Sequence, residues 1–223
     1  MLKNIEFARR FDTVADSFDQ MISEYSTRRR HEAILPYIRG KVLCVGSGTG
    51  YLNSCCHKND DIIHLDISMN MCSTAVQKTG ASAVCADAES LPVTDKAIDT
   101  VTALEMIYYL NNPERFIKEA YRILRPGGVL LLSSFNHKLA FYDKYVRTIA
   151  RKLPLTGTYF DDGNRRFMYL NDLRNLLCSN GFEIIMQRRI LTIPIESLKR
   201  LDERLEKTFI SRLAMFNIMA GKK

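Results

Sequence analysis

The chain has no Cys-x-x-Cys pair and no cysteine–histidine spacing of the zinc-binding kind, so no metal site is expected. Its six cysteines, Cys44, Cys55, Cys56, Cys72, Cys85 and Cys178, lie mostly in apolar segments. A chain of 223 residues can bury a core without disulfides, so reduced thiols and a cytoplasmic location are expected. No apolar run approaches membrane-spanning length, and Met1–Asp12 lacks the apolar centre of a secretion signal. Internal repeats and low-complexity linkers are missing, and no Gly-Lys-Ser/Thr follows the glycine cluster, which excludes a P-loop.

What is present suits one globular domain, with 46% apolar and 26% charged residues. The net charge of +7 is uneven: +2 over residues 1–41, −5 over 42–112 and +10 over 113–223. Such a split can mark an anionic partner, although basic faces on solvated helices produce it too.

Apolar spacing through Phe7, Phe11, Val14, Phe18 and Met21, then Ile34, Leu35 and Ile38, predicts a helical cap over residues 1–39. After Gly40 the chain alternates. "KVLCV", "IIHLD", "ASAVCAD", "AIDTVTALEM" and "GVLLLSSF" read as strands, the last without polar alternation, as in a strand covered on both faces. Helices are predicted over 49–57, 69–78 and from Pro113 to about Leu124. The alternation implies a parallel sheet with right-handed crossovers in a core over 40–137. Residues 138–168, basic and aromatic, read as a substrate-side insertion. The remainder, 169–223, adds a helix ended by Gly181, the strand "FEIIMQRRI", a charged helical segment and a last strand in "LAMFNIMAGKK".

"VGSGTGYL" places Gly46, Gly48 and Gly50 between a strand and a helix, where bare backbone lets a ligand come close. Tyr51 stands where the dinucleotide fingerprint has its third glycine. Asp66 ends the second strand, placed to accept both hydroxyls of a ribose, and Asp87 ends the third, placed to take the amino group of an adenine. Open α/β sheets bind ligands at this carboxyl edge.

With "HLDISMNM", "CADAESLPVTDKAIDTV" and "ALEMIYYLNNPERFIKEAYRILRPGGVLLLSSFN" in order, residues 40–190 resemble the class I S-adenosylmethionine-dependent methyltransferases. Among them the chain is similar to the ubiquinone/menaquinone-biosynthesis and small-molecule branch. The resemblance implies a Rossmann-like, mostly parallel seven-stranded sheet with an antiparallel last strand, and S-adenosylmethionine as cofactor. It implies that Gly46, Gly48 and Gly50 hold the methionine part, Asp66 the ribose, Ile67 and Met71 the adenine face, and Asp87 and Ala88 the adenine edge. Glu105 would line the methionine side. "VADSFDQM" is similar to the family's A-x-x-Y-D element, with Phe18 in the tyrosine's place, and would cover the cofactor. Cys44 departs from the pattern. The family usually has an acid there, and a thiol in an apolar strand resists ionisation.

Methyl transfer from a sulfonium is an in-line displacement governed by alignment, so no universal catalytic residue is expected. Tyr108, Tyr109 and His137 are the acceptor-side candidates, with Tyr109 and His137 as possible bases; Phe18, Arg165 and Arg166 complete the set. The two arginines could clamp a carboxylate or phosphate. "TRRRHE" at Thr27–Glu32 reads as one charged helix face. "NNPE" lacks the Asn/Asp-Pro-Pro-aromatic arrangement of enzymes that methylate base amino groups. The expected acceptor is therefore a small molecule, a metabolite or natural-product intermediate with an anionic group among the options, in preference to nucleic acid. A methyltransferase acting on RNA or a peptide, and a non-catalytic cofactor-binding scaffold, stay open as alternatives.

Overall fold

The computed structural model describes residues 2–56, 61–137 and 168–223. Residues 138–167 of the expected insertion, with Arg165 and Arg166, and the end of the helix expected after the glycine loop lie outside the described residues.

The first elements are helices α1 (Leu2–Val14), α2 (Phe18–Met21) and α3 (Glu24–Ile34), in the segment expected to be helical. Alternation follows: β1 (Lys41–Val45), α4 (Leu52–Cys55), β2 (Asp61–Asp66), α5 (Met69–Thr79), β3 (Ala83–Cys85), β4 (Ile98–Leu104), α6 (Pro113–Ile123) and β5 (Leu124–Phe135). Then come α7 (Leu170–Ser179), β6 (Glu183–Ile190), α8 (Lys199–Leu205) and β7 (Phe216–Lys222). The seven strands lie in the order β3-β2-β1-β4-β5-β7-β6. Pairs among β1 to β5 are parallel, and β7 runs antiparallel to both β5 and β6. This is the expected mostly parallel sheet with an antiparallel last strand.

Local chemistry sets the helix ends. Ser68 starts α5 by accepting the Met71 N–H at 3.1 Å, and Gly80 stops it in the left-handed region at φ +71°. Asn112 accepts from the Arg115 N–H at 3.1 Å, with Pro113 in the first turn of α6. That helix buries Phe116, Ile117, Ala120 and Ile123 along one stripe. Covering Phe116 alone is worth about 1.5–3 kcal/mol.

Two elements are shorter than expected. α4 begins only at Leu52, because Gly50 at φ +85° bends the preceding residues into a turn. β3 keeps three residues of the expected seven because it pairs with β2 alone, at the edge of the sheet. At "RPGG" the β4–β5 register shifts between Ile98 and Thr100, so the break after α6 is a bulge leading into β5.

The cap is tied down by polar contacts. Asp12 of α1 accepts from the Ser68 hydroxyl at 2.6 Å and the Asn70 N–H at 3.0 Å, at the start of α5. On α3, Arg29 is 6% exposed and reaches Glu206 at 2.6 Å and Asp202 of α8 at 3.5 Å. These contacts hold α3 against the C-terminal segment. No helix among the described residues is long and apolar enough to cross a membrane.

Candidate active site

A cleft lies between the cap and the carboxyl edge of the sheet, and three neighbourhoods build it. The first is the glycine loop after β1. Gly46 adopts φ +63°, and a Cβ there would lie 2.7 Å from the Met106 Cβ. Only glycine fits both demands. Gly48 sends its N–H to Asp66 Oδ2 at 2.9 Å. Both line the cleft. Gly50 is not among the described residues that do; a Cβ on it would lie 2.8 Å from the Thr79 side chain, so it serves packing of the loop against α5.

The second neighbourhood is the row of strand-end acids. Asp66 is 8% exposed, and its other oxygen accepts from the Ser68 N–H at 3.0 Å. Burial raises its pKa, while the backbone N–H donors from Ser68 and Gly48 work against that rise. Asp87 follows β3 and accepts from the Glu89 N–H at 2.9 Å. Ile67, Met71 and Ala88 line the cleft beside these acids. Cys44 also lines it, and burial pushes its thiol up to about 11, so it stays protonated at neutral pH.

The third neighbourhood follows β4 and β5. Glu105 holds φ +57°, unusual for a residue with a side chain. Its carboxylate accepts from the Ser133 hydroxyl at 2.7 Å and the Tyr108 hydroxyl at 3.2 Å. The Tyr109 ring meets Phe7 and Phe11 edge-on, at centroid distances of 5.3 and 5.5 Å, and Tyr108 stands 4.7 Å from it. Phe18 packs against Phe11 and faces Gly48. His137 is not brought to this wall. The backbone beyond β5 bridges to Met168, and the imidazole rests on Tyr169 at 4.1 Å.

The cap helix α3 supplies cleft residues that sequence reasoning passed over. Ser26, Thr27, Arg30 and His31 line the cleft. "TRRRHE" is therefore not one solvated face: Arg28 and Glu32 look outward, while Arg29 and His31 are buried. The signal was the i, i+3, i+4 spacing of Thr27, Arg30 and His31, which shares one side of a helix. The His31 Nδ1–H donates to the Thr27 carbonyl at 2.8 Å, and burial lowers its pKa to about 4. The ring is neutral at pH 7, leaving Nε2 with its lone pair.

Residues 43–132 match a family model described as a methyltransferase domain. The chain is 27% identical over 176 residues to the demethylmenaquinone methyltransferase of Renibacterium salmoninarum, covering 74% of each chain. It is 32% identical over 145 residues to a malonyl-acyl-carrier-protein O-methyltransferase of a Marinomonas species, covering 59% of this chain and 52% of that one. A crystal structure of a Thermotoga maritima S-adenosylmethionine-dependent methyltransferase shares the fold, with a TM-score of 0.65 at 21% identity over 96% of this chain and 98% of that one. The strand order and the glycine loop agree with the methyltransferase domain matched over residues 43–132, and the chain is similar in sequence to methyltransferases.

Proposed function

We propose that the cleft carries S-adenosylmethionine at its acidic end and methylates a small molecule with an aromatic or extended apolar body at its aromatic end. The aromatic wall is the observation that carries this reading: Tyr109 packed edge-on between Phe7 and Phe11, with Tyr108 beside it. A flat or apolar acceptor gains contact area there, whereas a polar polymer would gain little. Similarity to a methyltransferase named for demethylmenaquinone favours the same class.

The residues present fit the cofactor. Asp66, held rigid by two backbone donors, keeps further acceptor positions for the two ribose hydroxyls. Ile67 and Met71 would flank the adenine, and Asp87 and Ala88 would meet its edge. The positive φ of Gly46 and Gly48 bares backbone to the methionine part, and Ser47, also on the cleft, has a buried hydroxyl with no protein partner. Glu105 supplies the carboxylate for the ammonium that Cys44 cannot. Bound there, the sulfonium supplies an activated methyl group.

The protein's own contribution is then alignment and exclusion of water. Tyr108, locked to Glu105, couples the methionine side to the acceptor wall, while Phe7, Phe11 and Phe18 of the cap roof it. A misplacement of about 1 Å can cost roughly a hundredfold in rate, so rigid aromatic packing is itself catalytic equipment. Tyr109, rather than His137, is the acceptor-side residue this site would use.

Incubating the purified protein with methyl-labelled S-adenosylmethionine and a deproteinised cell extract tests the function. Label should appear in an organic-soluble small molecule, and Tyr109→Ala should reduce it while cofactor affinity holds. Label found only with added RNA or protein would move the acceptor to the macromolecular class. Cofactor binding without turnover on either would leave a scaffold.

A further inference from the structure

We propose that Arg30 and His31 of α3 form an acceptor subsite that selects small molecules bearing an oxyanion, a carboxylate or a phosphate. The proposal rests on the functional reading above and names its substrate class.

Three consecutive arginines make an internal comparison. Arg28 is paired with Glu196 and Glu32, and Arg29 with Glu206 and Asp202. Arg30, on the cleft side, has no carboxylate within ion-pair distance among the described residues. Its Nη2 donates to the Thr27 hydroxyl at 3.1 Å, and its Nε is buried with no acceptor. Arg30 is half-buried, and its buried Nε, left without an acceptor, is costly unless an anion completes it. The fork geometry suits a carboxylate or phosphate.

Position assigns the anion to the acceptor and not the cofactor. The Arg30 guanidinium lies 4.5 Å from the centroid of the Phe216 ring. Phe216 contacts Phe135 at 4.9 Å, and Phe135 contacts Tyr108 at 5.8 Å. Arg30 therefore stands over the β5–β7 side, next to the aromatic wall, while Asp66 and Asp87 follow β2 and β3 on the other side of β1. Asp66 and Asp87 lie at one end of the cleft and Arg30 at the other, with Glu105 between them on Tyr108. Beside Arg30, the Nδ1–H of His31 is fixed on Thr27, so its Nε2 can accept a hydrogen bond but not donate one. An acceptor with a hydroxyl near its oxyanion satisfies both groups: the anion takes the Arg30 donors and the hydroxyl donates to His31.

Binding of salicylate, phenyl phosphate and neutral benzyl alcohol would be measured by calorimetry on the full chain saturated with S-adenosylhomocysteine. Wild type should prefer the anions, and whichever of salicylate and phenyl phosphate binds more tightly identifies the oxyanion. Arg30→Gln should weaken the anions by roughly ten- to a hundredfold, leave benzyl alcohol unchanged, and keep S-adenosylhomocysteine affinity within about threefold. Arg30→Lys should restore part of the preference, which a purely structural arginine over Phe216 would not require. His31→Gln should weaken salicylate, which has a hydroxyl, more than phenyl phosphate, which has none. Equal anion binding by wild type and Arg30→Gln, or no anion preference in a protein that binds S-adenosylhomocysteine, overturns the proposal. Failure of wild type to bind S-adenosylhomocysteine would instead remove the functional reading beneath it.

Discussion

Acid should destabilise this protein through His31, and the size of the effect follows from its burial. The ring is 8% exposed and sits 4.9 Å from Tyr51, with the Arg30 cation on its own helix. Burial is the main cause that lowers its pKa from 6.5 to about 4, with Arg30 adding to the effect. Above pH 6.5 the ring is neutral folded and unfolded, so it contributes no pH dependence. As pH falls through 6.5 the unfolded chain takes up the proton first, and stability drops until the folded ring also titrates near 4. At about 1.4 kcal/mol per pH unit, the loss between pH 7 and 4.5 is about 2.5 kcal/mol. Against a total of roughly 5–15 kcal/mol, that is large. His31→Gln retains an N–H donor for the Thr27 carbonyl and removes the titration. Urea unfolding at both pH values, followed by circular dichroism, should show the variant losing about 2.5 kcal/mol less than wild type. His64, fully buried and also lowered by burial, keeps its own acid sensitivity in both proteins and cancels in the difference. Identical losses in the two proteins would refute the argument.

Asp66→Ala should weaken S-adenosylmethionine by at least tenfold, since charge-assisted bonds are worth about 1.5–3 kcal/mol each; Asp66→Asn, which keeps an acceptor oxygen, should lose less in the same calorimetric titration. Cys44→Asp should leave cofactor affinity nearly unchanged, because Glu105 already supplies the carboxylate for the ammonium, while lowering the melting temperature of the free protein, because a carboxylate is then buried near Asp66; a clear tightening of the cofactor would mean that Glu105 does not hold the ammonium. Arg29→Ala should cost about 3–5 kcal/mol in urea unfolding, because among the described residues buried Asp202 is left without a cation and Glu206 keeps only Arg188. A loss below about 1 kcal/mol would mean that the network does not anchor the cap.

The sheet was legible because short apolar runs separated by turn residues leave few alternatives, and Pro113 and Gly181 marked helix ends through local chemistry. The placement of the acids along the cleft was legible for a related reason. Asp66 and Asp87 sit at strand ends, and strand ends share one edge. The misses have a different origin. α3 looked like a charged, solvated helix because its burial depends on Asp202 and Glu206, more than 170 residues away. Local periodicity carries no information about partners at that distance. His137 was placed by counting from the end of β5, and counting could not foresee the bridge to Met168 that turns the backbone away.

Glu105 joins the two ends of the cleft. Its left-handed backbone costs on the order of 1–3 kcal/mol, a penalty that glycine at the same position would avoid. The conformation persists because the surroundings over-determine it: the Glu105 N–H donates to the Ser133 carbonyl at 3.3 Å and to the Ser133 hydroxyl at 3.0 Å. The Ser133 and Tyr108 hydroxyls then fix the carboxylate. Strain spent on holding one carboxylate, where a cheaper residue would serve the fold, argues that the charge is needed there. In the proposed reading that charge faces the cofactor's ammonium, because the protonated thiol of Cys44 in β1 offers no anion and Glu105, just past the neighbouring strand β4, offers one.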